Sequence, residues 1–367
     1  MPDLRVEKLA KTLVEYSVQV KPGDWVVIAS QPIAEPLVRA VLRYTLRAGG
    51  RPSVLLSMDS TAQVYYEEAD EDQLKWLSPF ESMPFEEADV LVNIQATENT
   101  RALTGADTSK MQMRSAARKG VMDAYMRRGA SGELRWTLTQ FPCLAYAQDA
   151  DMSLSEFEDF VYRATFADQD DPVKLWKEVE ANQERLVRWL KGKKQMRLQS
   201  PNVDLTLSIE GRPFKNSTAT HNMPGSEIFT SPVEDSMNGW VAYSYPAIRL
   251  GREVEGIRLE FKEGQVSKAS AEKNEDYLIK MLDQDPGARI IGELGIGTNY
   301  SIDRFTKSIL YDEKIGGTIH TAVGAGYPEV GGKNQSALHW DMICDMRTDS
   351  EIRVDGELFY KDGRFQV

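Results

Sequence analysis

Two hydrophobic rhythms divide this sequence, and one gives way to the other near residue 195. In the first part, apolar runs of strand length alternate with segments whose apolar residues recur at helical spacing. Residues 4–20 read as an amphipathic helix, Lys21-Pro22-Gly23-Asp24 as a turn, and Trp25 to Ala29 as a short buried strand. Pro32 to Ala48 puts Leu37, Val38, Val41, Leu42 and Leu46 on one helical face and stops at Gly49-Gly50. Pro52 to Ser57 reads as a second strand, Glu71 to Leu77 as a polar helix, and Ala88 to Ala96 as a third strand. Strand and helix alternating in this way imply a small parallel α/β layer. Residues 107–129 read as helical. Ser153 to Glu156 has capping-box spacing and opens a helix through Arg163, and Asp171-Pro172 opens a longer one that runs to Lys193.

After Lys193 the helical spacing stops. Met196 to Gln199, Val203 to Ile209, Trp240 to Tyr245, Ile257 to Lys262 and Gln265 to Lys268 are short β-type runs separated by glycine turns. Asp355-Gly356 and Asp362-Gly363 mark hairpins at the C-terminal end. The expected class is therefore mixed α/β and α+β. An N-terminal α/β domain with a small parallel sheet and connecting helices spans 1–195, and a larger β-rich domain spans 196–367.

Charge and composition narrow the partners. Net charge is -12, against nucleic acid or an anionic membrane surface as the main partner, because both call for clustered Lys and Arg. Met1 to Lys8 shows no apolar signal core, and no stretch approaches the ~18 uninterrupted apolar residues of a spanning helix. The cytoplasm is the expected location. No GxGxxG or GxxxxGK[ST] follows the strands, no GxSxG elbow occurs, and HExxH is absent. Cys143 and Cys344 stand far apart, form no CxxC pair, and read as small buried hydrophobes.

The chemistry concentrates in the β-rich part, which holds all three histidines: His221, His320 and His339. His339-Trp340-Asp341 is His-x-Asp. In a strand, residues two apart share a face, so imidazole and carboxylate can reach one cation or bond to their neighbours. His320 ends an apolar run behind Gly316-Gly317. Glu293 is a lone carboxylate in Ile291-Gly292-Glu293-Leu294-Gly295-Ile296-Gly297, and Glu227 follows a turn at Met223-Pro224-Gly225. Carboxylates in such surroundings need partners. Glu227, Glu293, His320, His339 and Asp341 together suit one or two divalent ions of the Zn, Co or Mn type. Two ions would sit about 3.5–4 Å apart and activate a water. One ion with two histidines and one acid would be closer to an iron oxygenase site.

Several runs resemble the aminopeptidase T (aminopeptidase S/T) family of metallopeptidases. The most specific are Met223-Pro224 through Glu227 to Thr230, Asp312 through His320, and Lys333 through Asp341; Arg135-Trp136 to Gln148 and Met152 to Phe160 extend the resemblance along most of the chain. The resemblance implies removal of the N-terminal residue from short peptides by two divalent ions held by Glu227, Glu293, His320, His339 and Asp341. It gives Glu293 a catalytic part as well. Tyr327 matches a tyrosine near the metals and could stabilise an oxyanion or simply pack a turn. Glu313 reads either as a further ligand or positioning residue, or as a surface charge beside Lys314. His221 does not carry over. The resemblance further implies a homodimer with an enclosed cavity. Another branch of the same fold contains ring-opening dioxygenases of the 2,5-dihydroxypyridine type with one ferrous ion. There a histidine stands where this chain has Glu293, and counterparts of Glu227 and His320 are missing. Those departures favour the peptidase.

Overall fold

The computed structural model describes residues 3–249 and 251–367. Backbone contacts gather into two compact units. The first runs up to Leu175 and takes in Ala219–Met223; the second comprises Trp176–Thr218 and Pro224–Val367. The division expected after residue 195 instead falls inside the helix Pro172–Leu190. The apolar spacing of that helix is continuous, so the sequence changes rhythm only where the helix ends.

In the first unit, β1 (Trp25–Ser30), β2 (Arg51–Leu56), β3 (Val90–Gln95) and β4 (Arg135–Gln140) form a parallel sheet in the order β2–β1–β3–β4. The short strand Asn222–Met223 pairs in parallel with β4 and completes it. β4 and this last strand are additions to the three strands read from the sequence. The helix expected over 4–20 is α-helical only over Leu4–Thr12 and widens into a π-helical turn at Leu13–Ser17. The polar helix of 71–77 is Glu71–Lys75, and it is flanked by two unexpected helices, Asp59–Glu68 and Pro79–Glu87. Ser153 does close a capping box with Glu156 at the start of Leu154–Ala164. His221 packs its ring on Trp136, centroids 4.6 Å apart. Among the described residues no helix is long and apolar enough to cross a membrane.

The second unit holds two main antiparallel sheets. The larger runs from Gln265–Ser270 through Arg258–Lys262, Asn238–Ala242, Val203–Ser208, Gln195–Ser200, Glu351–Val354 and Glu357–Lys361 to Arg364–Phe365. Its last two hairpins turn where expected. Asp355 and Gly356 both have positive φ, 50° and 83°, and Asp362 and Gly363 repeat the pattern at 46° and 80°. The smaller sheet contains β5 (Lys215–Ser217), β6 (Glu227–Thr230), β7 (Ile291–Gly297), β8 (Thr318–Gly324) and β9 (His339–Asp345), ordered β9–β8–β7–β6–β5.

Each of these sheets buries one face in a single apolar cluster. Leu198, Leu205, Val241 and Leu259 come from the larger sheet; Ile228, Leu294, Ile296, Ile319 and Met342 come from the smaller. Leu186 and Leu190 of the long helix join them. The free face of the smaller sheet is thereby set by parity: residues one step from the core residues point the other way. Leu294 is fully buried at the centre of this cluster. Leu294→Ala is expected to lower stability by about 2–5 kcal/mol. The check is a fall in the urea midpoint with an unchanged m-value.

Candidate metal centre

Strand register brings the polar residues together. Gly295 pairs with His320, Glu293 with Ala322, Gly297 with Glu227, and Asp341 with Ala322 from the other side. Counting by twos, Glu227, Glu293, His320, His339 and Asp341 project from one face, opposite the core. The register between β7 and β8 shifts between Ile291 and Glu293. This bulge returns Ile291 to the core while Glu293 stays on the polar face. A bulge of this kind needs close backbone approach: a Cβ on Gly292 would stand 2.4 Å from the Ala325 carbonyl oxygen. Gly295 leaves the floor open in the same way, since a Cβ there would lie 2.0 Å from His320 Nε2.

The resulting distances are short. His320 Nε2 lies 3.3 Å from Glu227 Oε2 and 3.6 Å from Glu293 Oε1. His339 Nε2 lies 3.2 Å from Glu293 Oε2 and 3.5 Å from Asp341 Oδ2. Among the described residues, three trios have donor atoms within 4.8 Å of one another: Glu227–Glu293–His320, Glu293–His339–Asp341, and Glu313–His320–Asp341. Glu293 belongs to the first two. Glu313, which the sequence left between ligand and surface charge, is inside the cluster. His339 Nδ1 lies 2.8 Å from the Ala325 carbonyl oxygen, which can only accept. A proton is thus held on Nδ1, so Nε2, the nitrogen that faces the carboxylates, is the one that would give up its proton to take a cation. Tyr327 Oη is 3.3 Å from that Nε2, at the more exposed rim of the group.

Lys314 is the member that sequence reasoning missed. Its side chain is fully buried and pairs with Glu227 Oε1 at 2.7 Å and with Glu313. The available signal was a lysine lodged between Asp312-Glu313 and an apolar strand, a place where a solvated charge does not fit.

Electrostatically the cluster is short of positive charge. Burial pushes Glu227 up to about 7 and Asp341 up to about 6. Burial also disfavours charge on Glu293, yet hydrogen bonds from His320 and His339 hold it at about 2. The imidazoles respond in the opposite sense. Burial lowers both, but hydrogen bonding to Glu293 and the charge of Glu227 lift His320 to about 9, and the charge of Asp341 with the Glu293 bond lifts His339 to about 10. The carboxylates therefore favour cations at the centre of the group. Among the described residues, Glu227 Oε2, His320 Nδ1 and Asp341 Oδ1 are buried without a hydrogen-bond partner. Carboxylate oxygens with unused lone pairs, beside imidazoles that can exchange a proton for a metal ion, fit divalent cations.

A buried carboxylate–imidazole face on an antiparallel sheet carries the donor set of a metal centre. Residues 3–365 match the family described as thermophilic metalloprotease (M29), and the chain belongs to that family. Aminopeptidase 2 of Geobacillus stearothermophilus is 26% identical over 98% of this chain and 95% of its own length. Aminopeptidase T of Thermus thermophilus is also 26% identical, with the same coverage. Aminopeptidase AmpS of Bacillus subtilis is 24% identical over 98% of both chains. The solved structure of wild-type AmpT from Thermus thermophilus has the same fold, with a TM-score of 0.88 over 99% of each chain at 22% identity.

Because His320 occupies the space above Gly295, Gly295→Ala is expected to displace the imidazole and leave the sheet folded. Metal affinity should fall about 10–100-fold. Equilibrium dialysis with elemental analysis, beside an unchanged far-UV CD spectrum, measures it.

Proposed function

We propose that this chain is an aminopeptidase that removes the N-terminal residue of short peptides with the help of two divalent ions. The observation that carries this reading is the sharing of Glu293 between two trios. Glu227, Glu293 and His320 would hold one ion; Glu293, His339 and Asp341 would hold the other, with Glu313 beside both. Family membership and the names of the relatives support a peptidase acting at the N-terminus. The donor set suits Zn, Co or Mn.

When bound, such ions lower the pKa of a water and polarise the scissile carbonyl. The chain's own residues do the rest. Lys314 holds Glu227 in place from below. The Ala325 carbonyl fixes the tautomer of His339. A carboxylate of the cluster accepts the proton released by the attacking water. Burial, with Glu293 and Asp341 nearby, pushes the Tyr327 phenol up. It therefore keeps its proton and can donate to the oxyanion as the tetrahedral intermediate forms. A homodimer is part of the proposal on the strength of the family resemblance, and light scattering of the purified chain decides it.

Elemental analysis of the purified protein is expected to give close to two ions per chain. A chelator should abolish hydrolysis of a leucyl chromogenic amide, and Zn, Co or Mn should restore it. One ferrous ion per chain, no amide hydrolysis and oxygen uptake with a dihydroxypyridine would overturn the proposal in favour of a ring-opening dioxygenase. Tyr327→Phe is expected to lower kcat by about 10²–10³-fold at full metal content, the size of one lost oxyanion donor. Steady-state kinetics with and without added metal separates this from weaker ion binding.

A further inference from the structure

Beside the metal centre lies a cavity of about 220 Å³. It is bounded by the strand Ala247–Arg249, by β9 at His339 and Asp341, and by residues of the 305–312 segment. Ile248, Phe305, Ile309 and Ile343 make much of the wall apolar. Three charged side chains besides the candidate ligands reach it, and two are already engaged. Lys307 pairs with Glu253 at 3.5 Å. Asp312 accepts hydrogen bonds from the backbone N–H and the hydroxyl of Thr306, at 2.7 and 2.8 Å.

The third is Arg249, which is half-buried and forms no ion pair within 4.0 Å among the described residues; Asp341, a candidate ligand on the same cavity, is the carboxylate whose charge acts on it. Its Nη1 donates to the His339 carbonyl oxygen at 2.9 Å, while its Nε is buried without a partner. The residue directly across the hairpin from it is Arg252, a like charge that repels it. An unpaired cation in partial burial is costly, and an anion brought from outside offsets that cost. A guanidinium suits one anion especially well: the planar carboxylate, which it binds through two parallel N–H bonds.

We propose that Arg249 is a specificity-determining residue that anchors a carboxylate of the substrate in this cavity. The inference rests on the aminopeptidase reading of the adjacent centre. The space is smaller than the ~300 Å³ at which ligand pockets usually begin, so it takes the end of one residue and not a length of peptide. Two carboxylates of a short peptide meet that description. One is the terminal carboxylate of a dipeptide, next to the scissile bond. The other is the side chain of an acidic N-terminal residue.

The experiment compares kcat/KM for matched substrates on the full, metal-loaded enzyme. One pair is leucylglycine against leucylglycine amide; the other is a glutamyl against a leucyl p-nitroanilide. In one pair the wild-type enzyme is expected to favour the carboxylate-bearing substrate. Arg249→Gln should reduce that ratio about 10–100-fold, the worth of one charge-assisted hydrogen bond, with metal content checked by elemental analysis. Arg249→Lys should restore part of it, and it serves in place of the glutamine variant if that one loses metal. The pair that responds identifies which carboxylate is read. No wild-type preference in either pair, or equal loss on both members of the pair that shows the preference, overturns the anchor. Failure to hydrolyse any of the four substrates overturns the aminopeptidase reading instead.

Discussion

The ion pairs of Lys314 are what make the carboxylate face of the smaller sheet sustainable. Glu227, Glu293 and Asp341 are gathered out of bulk water, a placement that several kcal/mol per charge would oppose. Lys314 answers from the protein side. Burial alone would lower its pKa, but Glu227 and Glu313 raise it, so it stays a fixed cation wedged beneath the cluster. Removing a partner from such a group costs more than the group contributes when intact. Lys314 has no lone pair to offer when charged, so it balances Glu227 without competing for the metal positions. The remaining positive charge has to come from the other side of the carboxylates, where the imidazoles point.

Sheet geometry converts that electrostatic demand into a shaped site. Strands of this one sheet come from stretches of sequence as far apart as Glu227 and Asp341, yet each contributes through the same alternation of core-facing and site-facing residues. Two glycines of β7, Gly295 and Gly297, sit in the row with His320 and Glu227 and give the long side chains room. A third, Gly292, permits the bulge that lets Ile291 and Leu294 both reach the core. The glycine-rich look of this strand is a record of side chains on its neighbours.

Much of this was legible from the sequence, for identifiable reasons. The three-strand start of the parallel sheet, the capping box at Ser153 and the Asp-Gly hairpins are local signals, and local signals survive in a single sequence. The five polar residues that share a face could also be picked out one by one, Glu293 as a lone carboxylate among apolar and glycine neighbours, His339 and Asp341 by their two-residue spacing. What escaped was non-local. β4, Arg-Trp-Thr-Leu-Thr-Gln, mixes polar and apolar residues and declares itself only through its pairing with β3. Asn222–Met223 is too short to be a strand by itself. Lys314 looks like a surface charge until the fold closes over it, and Arg249 stands out only once its unpartnered Nε is seen to be buried beside the cavity.

The return of Ala219–Met223 to the first unit has a consequence for how this chain can be taken apart. The backbone passes between the units three times, at 175, 218 and 223. No single cut can yield both units whole. A fragment ending near residue 175 would keep β4 but lose the strand that covers its outer side, leaving an open row of backbone donors and acceptors of the kind that recruits other chains. During synthesis the same holds for the nascent polypeptide: the parallel sheet stays unfinished until residue 223 has emerged, by which point the first strands of the larger antiparallel sheet are already present. The two halves are therefore bound into one order of assembly, with the first candidate ligand, Glu227, following four residues behind the strand that closes the first sheet.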